Sequence, residues 1–386
     1  MSNDRTGLWL VGARGSVATT VATGLAMIAA GGSGPDGLVT EQAGLREHVT
    51  GLDRIVLGGH DVAEVPLVKR AAMLADAGVV PGAALPLVHD ELERVDARLR
   101  PGYVPGAEPQ GDAVRRLAAD ISDFRRVEGL ARVVVVNVSS TEPPADADAT
   151  HASLSALESS WDAGGSPLPS SAVYAAAAFL AGAAFVDFTP STGARLPALA
   201  ELAERHAVPW GGSDGKTGET LVKTVLAPMF AARSLRVRSW AGANLLGGGD
   251  GATLADPDAR ESKSRSKAKG LEAMLGYPVE GPVHIDNITD LGDWKTAWDH
   301  VTFSGFLGTR MSLQFTWQGC DSALAAPLVI DLARLAGLAL QRGHVGPVPE
   351  WGFFFKDPVG SDEHRLFEQL VTLRDWVVGG EGAASS

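Results

Sequence analysis

The feature that most restricts this chain is a run of four consecutive valines, Val133 to Val136, inside Ala131–Val138. It ends abruptly in Ser139-Ser140-Thr141-Glu142-Pro143-Pro144. Side chains alternate between the two faces of a strand, so an unbroken apolar run must be covered on both. That is the condition of a parallel sheet flanked by helices, and ligands in such folds sit just beyond the carboxyl ends of the strands. Two further segments repeat the pattern. Gly7–Val11 runs into Gly12-Ala13-Arg14-Gly15-Ser16-Val17-Ala18-Thr19-Thr20 and then a helical pattern from Val21 to Ala30, while Ala183–Phe188 ends in Thr189-Pro190-Ser191-Thr192. The expected class is α/β with a doubly wound parallel sheet.

Strand, glycine loop and helix in succession open a dinucleotide-binding βαβ unit. This loop departs from G-x-G-x-x-G because Arg14 and Ala18 stand where the second and third glycines belong, so a plain strand-to-helix turn competes with that reading. Support comes from Arg54–Leu57, which leads into Gly58-Gly59-His60-Asp61. An acidic residue after the second strand can bond the ribose hydroxyls. The separation exceeds the usual spacing of about 20 residues, and an insertion over Gly31–Val49 accounts for the excess. A second loop, Gly211-Gly212-Ser213-Asp214-Gly215-Lys216-Thr217-Gly218-Glu219-Thr220, follows Val208-Pro209-Trp210 and precedes helical spacing over Leu221–Ala232. Free N–H groups at a helix start make it an anion seat. A Walker A loop would need glycine at position 210, which is tryptophan, so nucleotide hydrolysis does not fit.

The 386 residues, 45% of them hydrophobic, suffice for one large domain or two interleaved ones. The segment Ala145–Ser170 reads as a loop. Forty-six acidic against 33 basic residues give a net charge of −13, which argues against nucleic acid and anionic membrane surfaces as partners. The single cysteine, Cys320, excludes an intrachain disulfide framework and points to a reducing, cytoplasmic setting. The N-terminus, with Asn3, Asp4 and Arg5, lacks the pattern of a secretory leader. Ala172–Val186 is short of the roughly 20 residues that cross a bilayer, so no span is expected. His60, His284 and His300 have no metal-ligand spacing, and whether any cation is needed is open.

Only eight of the 33 basic residues are lysines: Lys69, Lys216, Lys223, Lys263, Lys267, Lys269, Lys295 and Lys356. Arginine is the default surface cation here, so a retained lysine invites a chemical reason. Its compact ammonium can lose a proton when desolvated, and a guanidinium cannot. Lys263 and Lys267 share a helical face, where like charges repel unless an anion offsets them. Lys356 follows three phenylalanines, at the edge of an apolar pocket. A long apolar helix is expected from Cys320-Asp321-Ser322 toward Arg342, with Asp321 or Ser322 as its cap.

These motifs, in this order, resemble the inositol-3-phosphate synthase family. The matches are Gly58-Gly59-His60-Asp61, the Asp214–Thr220 loop, Asn244-Leu245-Leu246-Gly247-Gly248-Gly249-Asp250-Gly251 with Ser262-Lys263 and Ser266-Lys267, Gly292-Asp293-Trp294-Lys295, Asp321-Ser322 with Ala326–Leu332, and Phe355-Lys356. The resemblance implies a Rossmann-type domain from residues 1–219 and 320–386, with an α+β catalytic and oligomerisation domain inserted over 220–319. It also implies NAD as cofactor, a small phosphorylated sugar as substrate and a homotetramer. Carried over, NAD falls to Gly12, Arg14, Gly15, Ser16, Val17, Asp61, Ser139, Ser140, Thr141, Asp187 and Thr189, with Asp214, Asp250, Asp293, Asp321 and Ser322 framing the nicotinamide end. The substrate falls to Thr217, Gly218, Glu219, Thr220, Lys295 and Lys356. Catalysis falls to Lys216, Lys263, Lys267, Lys295 and Lys356 with Asp250 and Asp293.

The implied reaction converts D-glucose 6-phosphate to inositol 3-phosphate by internal oxidation, enolisation, aldol closure and re-reduction. Each step moves negative charge on oxygen, which clustered ammonium groups stabilise while their repulsion lowers a pKa among them. The chain departs from the family at Arg14, at Gly248 and Gly249, at Trp294, and at Glu219, which replaces a glutamine of the phosphate loop. The same chemistry on fructose 6-phosphate, closing a five-membered ring, is the alternative within the class. A simple NAD-dependent dehydrogenase and a non-catalytic NAD-binding relative are the alternatives outside it.

Overall fold

The structure, a computed structural model, describes residues 4–247 and 270–379. Lys263, Lys267, Asp250, Gly248 and Gly249 lie outside the described residues.

Seven strands form the first sheet: β1 (Thr6–Val11), β2 (Ile55–Asp61), β3 (Leu99–Pro101), β4 (Arg132–Asn137), β5 (Ala184–Asp187), β6 (Pro209–Gly212) and β11 (Gly346–Pro347). They are parallel, in the order β3-β2-β1-β4-β5-β6-β11. Strand order reverses between β1 and β4, which opens a crevice at their carboxyl ends. The valine run behaves as its composition requires. Val134 and Val136 join Leu8, Leu10, Ala184 and Val186 in a core beneath helices α1 (Ser16–Ala29), α2 (Leu67–Asp76), α3 (Leu85–Arg98), α9 (Asp321–Gln341) and α10 (Leu366–Gly379). Val133 and Val135 join Trp9, Val11 and Phe185 on the other face, under α4 (Gln110–Val127), α5 (Leu154–Asp162), α6 (Ser170–Leu180) and α7 (Pro197–Arg205). The fold is Rossmann-like.

The segment Ala145–Ser170 is not all loop. Ser153 accepts from the Ala156 N–H and starts α5, whose Leu154 and Leu157 are buried. Polar surface residues hid the two leucines that hold it. The sequence reading also weighs only Ala172–Val186 as a membrane-length stretch, whereas the 21-residue α9 is long and apolar enough by length and composition. Its apolarity is that of a core helix, because Val329, Leu332, Leu335 and Ala336 are wholly buried between α1 and the first sheet.

Between β6 and α9 the chain leaves this sheet. Helix α8 (Gly218–Ala232) leads to a second sheet of β7 (Arg236–Leu246), β8 (Val283–Asn287), β9 (Trp294–Ser304) and β10 (Arg310–Cys320), in the order β10-β9-β7-β8. Strand β9 runs antiparallel to β7 and β10, and β8 parallel to β7. Phe230 and Ala227 of α8 pack on Trp240, Val237 and Val301. Expected boundaries at 220 and 319 fall inside α8 and β10, one or two residues within the observed elements.

The insertion Gly31–Val49 is tied to α9 by a buried carboxylate. Asp331 accepts from the Val39 N–H at 2.8 Å, the Thr40 N–H at 3.0 Å and the Thr40 hydroxyl. Arg334 in turn donates to Thr40 Oγ1 at 2.6 Å and the Thr50 carbonyl at 2.8 Å, and pairs with Glu41 at 2.6 Å. Burial pushes the Asp331 carboxyl up to about 6. Asp331→Ala leaves three donors and a buried guanidinium undercompensated, and the expected loss is about 3 kcal/mol in urea unfolding.

Candidate functional site

At the carboxyl end of β1 the chain turns through Gly12 with φ +81°, where a Cβ would lie 2.8 Å from Ser139 Cα. Only glycine brings the loop this close to the end of β4. Arg14 has no positive φ, which is why a side chain is tolerated in place of glycine. Its guanidinium turns away from the loop onto Asp96 at 3.0 Å and the Ala63 carbonyl at 3.3 Å. Helix α1 then starts at Ser16 after Gly15, with no side-chain cap and no acidic residue in its first turn. The uncapped N–H groups and the helix dipole suit a pyrophosphate. Asp61 accepts from Arg14 N at 2.6 Å and Ala63 N at 2.7 Å. Each oxygen keeps a second lone pair for a ribose hydroxyl.

A polar ladder crosses the carboxyl ends of β4 and β5. Ser139 donates through N and Oγ to Asn137 Oδ1, and Asn137 donates to Asp187 Oδ1 at 3.2 Å. Thr189 donates to the same oxygen through its N–H at 2.9 Å and its hydroxyl at 2.7 Å. Complete burial raises the Asp187 carboxyl to about 7 despite these bonds. Ser140 is exposed and Thr141 half-buried on the segment that follows β4. The residues fit a dinucleotide lying from α1 across the sheet edge.

The second glycine loop is clasped to the chain near Phe355. Lys216 N donates to the Phe354 carbonyl at 2.8 Å, Lys356 N to the Asp214 carbonyl at 2.7 Å, and Ser213 and Asp357 exchange backbone bonds of 2.9 and 3.2 Å. Residues about 140 positions apart thereby become neighbours. Lys356 Nζ donates to Asp214 Oδ1 at 2.9 Å. Lys295, at the start of β9, reaches Asp321 Oδ2 at 3.3 Å, and Thr217 Oγ1 donates to Asp321 Oδ1 at 3.4 Å. The Ser322 hydroxyl donates to Asp293 Oδ1 at 3.3 Å. Asp321 and Ser322 are not caps as expected. Cys320 is the residue before α9, Asp321 lies in its first turn, and both side chains are drawn into the site.

Two adjoining lobes, which share Thr220 and Lys356, border these groups. The larger is lined by Asp214, Lys216, Thr220, Lys223, Lys356 and His364. The smaller is lined by Thr217, Glu219, Thr220, Asn244, Lys295 and Lys356. Three of the five expected catalytic lysines thus line these lobes, Lys216 the larger, Lys295 the smaller and Lys356 both, and the other two lie outside the described residues. The expected pKa depression falls on Lys216. It is 4% exposed, and its ammonium is pushed down to about 7 by burial rather than by its fellow lysines.

Lys223, Asp299 and Asn244 were given no role in the site from sequence. Glu219 is turned onto Lys223, four residues along α8, and Lys223 also lies 3.5 Å from Asp299. Trp240 Nε1 donates to Asp299 Oδ1 at 2.7 Å, and burial raises this carboxyl. The Glu219 charge is compensated beneath the loop instead of facing a phosphate unopposed. The i, i+4 spacing of Glu219 and Lys223 was the readable signal. Asn244, 2% exposed, lines the smaller lobe, and neither polar atom of its side chain has a hydrogen-bond partner among the described residues.

A family model described as myo-inositol-1-phosphate synthase matches residues 6–377. Inositol-3-phosphate synthase 1 of Bacteroides thetaiotaomicron is 34% identical over 95% of this chain and 92% of its own length. The solved inositol-3-phosphate synthase of Caenorhabditis elegans superposes with a TM-score of 0.86 at 22% identity, covering 99% of this chain and 87% of that one. A myo-inositol-1-phosphate synthase-related protein from Thermotoga maritima gives 0.75 at 24% identity, over 97% and 98%. At those identities the solved structures speak for the fold. With the match across nearly its whole length and a loop and helix start shaped for a dinucleotide, the chain belongs to the NAD-binding myo-inositol-1-phosphate synthase family.

Proposed function

We propose that this chain is a sugar-phosphate cyclase that converts D-glucose 6-phosphate to inositol 3-phosphate. The observation that carries the reading is that Lys216, Lys295 and Lys356 line two adjoining lobes at the carboxyl edge of the first sheet, with Lys356 in both. NAD would be held by the Gly12–Val17 turn, Asp61 and the strand-end residues Ser139 and Thr189, and would supply the hydride acceptor and donor of the cycle.

The N-terminal turn of α8 has no side-chain cap, and its N–H groups with Thr217 and Thr220 suit the substrate phosphate. Lys356, held by Asp214, and Lys295, held by Asp321, stay oriented toward the enolate and alkoxide oxygens of the enolisation and aldol steps. Ammonium groups fixed in advance stabilise such oxygens more than water does, because no solvent must reorganise. Asp293, fixed by Ser322, orients the turn that precedes Lys295. The buried Glu219–Lys223 pair in place of the family's glutamine is the feature that bears on which sugar phosphate enters. It keeps fructose 6-phosphate as the second substrate to test.

Incubation with NAD and either sugar phosphate, followed by phosphorus and carbon NMR, is expected to give inositol 3-phosphate from glucose 6-phosphate without net NADH at 340 nm. A five-membered cyclitol phosphate from fructose 6-phosphate supports the second reading, and accumulating NADH without a carbocycle contradicts both. Lys295→Ala and Lys356→Ala should each lower turnover at least a thousandfold while NAD affinity, read by fluorescence titration, stays within about twofold of the parent.

We also propose self-association into a homotetramer in the cytoplasm. The outward face of the second sheet presents Trp298, 42% exposed, and the β9–β10 turn presents Phe306 and Leu307, 88% and 87% exposed. Surface of this kind marks an interface. Light scattering after size-exclusion chromatography should give four times the chain mass, and a monomer would contradict this.

A further inference from the structure

Gln369 lies on α10, outside the glycine loops and the lysine set, yet it meets the most buried amine of the cavity. Lys216 Nζ donates to Gln369 Oε1 at 2.5 Å, with Lys216 4% and Gln369 3% exposed. Gln369 Nε2 donates to the Glu363 carbonyl at 2.5 Å. A carbonyl only accepts, so the amide nitrogen must face it and the amide oxygen must face the lysine. The orientation is fixed by donor and acceptor chemistry.

We propose that Gln369 is a positioning residue for Lys216, a neutral acceptor that holds the amine at the cavity wall so that it exchanges a proton with the bound sugar phosphate. The inference rests on the cyclase reading above. The other two described site lysines have charged partners instead, Asp214 for Lys356 and Asp321 for Lys295. An amide offers a dipole without a charge, so it leaves most of the desolvation of Lys216 uncompensated.

The charged and titratable groups around this amine come from three sides. Its own loop brings Asp214, held by Lys356, and α8 brings Lys223, held by Glu219. The segment before α10 brings Glu363 and His364. Glu363 alone is a resolved opponent of the downward shift, and His364 is itself lowered by burial and by Lys216. In the proposed step a substrate bond to hydrogen breaks, its electron pair stays on the substrate, and an N–H bond forms on the Lys216 lone pair. The proton returns to a substrate oxygen before product leaves, so the amine ends the cycle as it began.

Gln369→Glu places a carboxylate on the amine and should raise its pKa by a unit or more. A base must be free to act, so the acid limb of the kcat profile should move up by the same amount. The rate should fall at least about fivefold near pH 7 and recover near pH 9. A profile superimposable on the parent's would overturn the role. Lysine-selective 15N NMR, with the Lys216 signal identified by its loss in Lys216→Met, reads the amine without any turnover. Its midpoint should be about 7 in the parent and higher in Gln369→Glu. A parent midpoint in the ordinary lysine range, or one unchanged by the substitution, overturns the proposal. If Gln369→Glu fails to fold, the parent midpoint decides alone. Absence of any cyclised product would instead count against the function proposed above, and the titration would still decide this one.

Discussion

The site depends on a backbone clasp. Four hydrogen bonds join the loop after β6 to the segment around Phe355, and they set Lys216 and Lys356 on adjacent backbones. Without them the two lysines would belong to a loop and a distant C-terminal stretch with no reason to meet. The clasp depends in turn on chain topology. The chain must leave the parallel sheet after β6, build the second sheet, and come back through α9 before the Phe355 segment can reach the loop. The return is held by the core helix α9, and Asp331 and Arg334 on that helix also fasten the Gly31–Val49 insertion. One buried helix therefore stabilises the N-terminal insertion and delivers Asp321 and Ser322 to the cavity.

Electrostatics follows the same economy. A chain of net charge −13 still brings four described amines to the site, each held by its own partner. Lys356 and Lys295 each have an aspartate, Lys223 has Glu219, and Lys216 has an amide. The partner decides the role. A buried amide orients an amine without adding a charge, so burial is left to lower the Lys216 ammonium to about 7. Two causes of a lowered pKa were expected, repulsion within the lysine set and desolvation of Lys356 beside its phenylalanines; the cause found is desolvation, and it falls on Lys216.

Much of the fold was legible because its signals are local. The valine run, the glycine loop before α1 and the apolar α9 are each decided by residues close in sequence, and unbroken apolar runs assigned β1 and β4 to a sheet covered on both faces. The glycine loop could be read despite Arg14, because position 14 needs no positive φ. Three of the lysines could be named from their scarcity and their motifs. What was not legible is long-range. Gln369 reads as an ordinary polar residue on an amphipathic helix until α10 packs beside the clasp. Asn244 and Asp299 look like alternating polar positions of a sheet until one face is closed by α8. Helix α5 was missed because two buried leucines are a weak signal among small and acidic residues.

The most direct measurement is a crystal structure with NAD and an unreactive analogue of the sugar phosphate. The account predicts the nicotinamide over the crevice between β1 and β4, the phosphate at the N-terminus of α8, and the side-chain nitrogens of Lys216, Lys295 and Lys356 all within reach of the analogue. A dinucleotide bound elsewhere, or an analogue touching none of these amines, would contradict it.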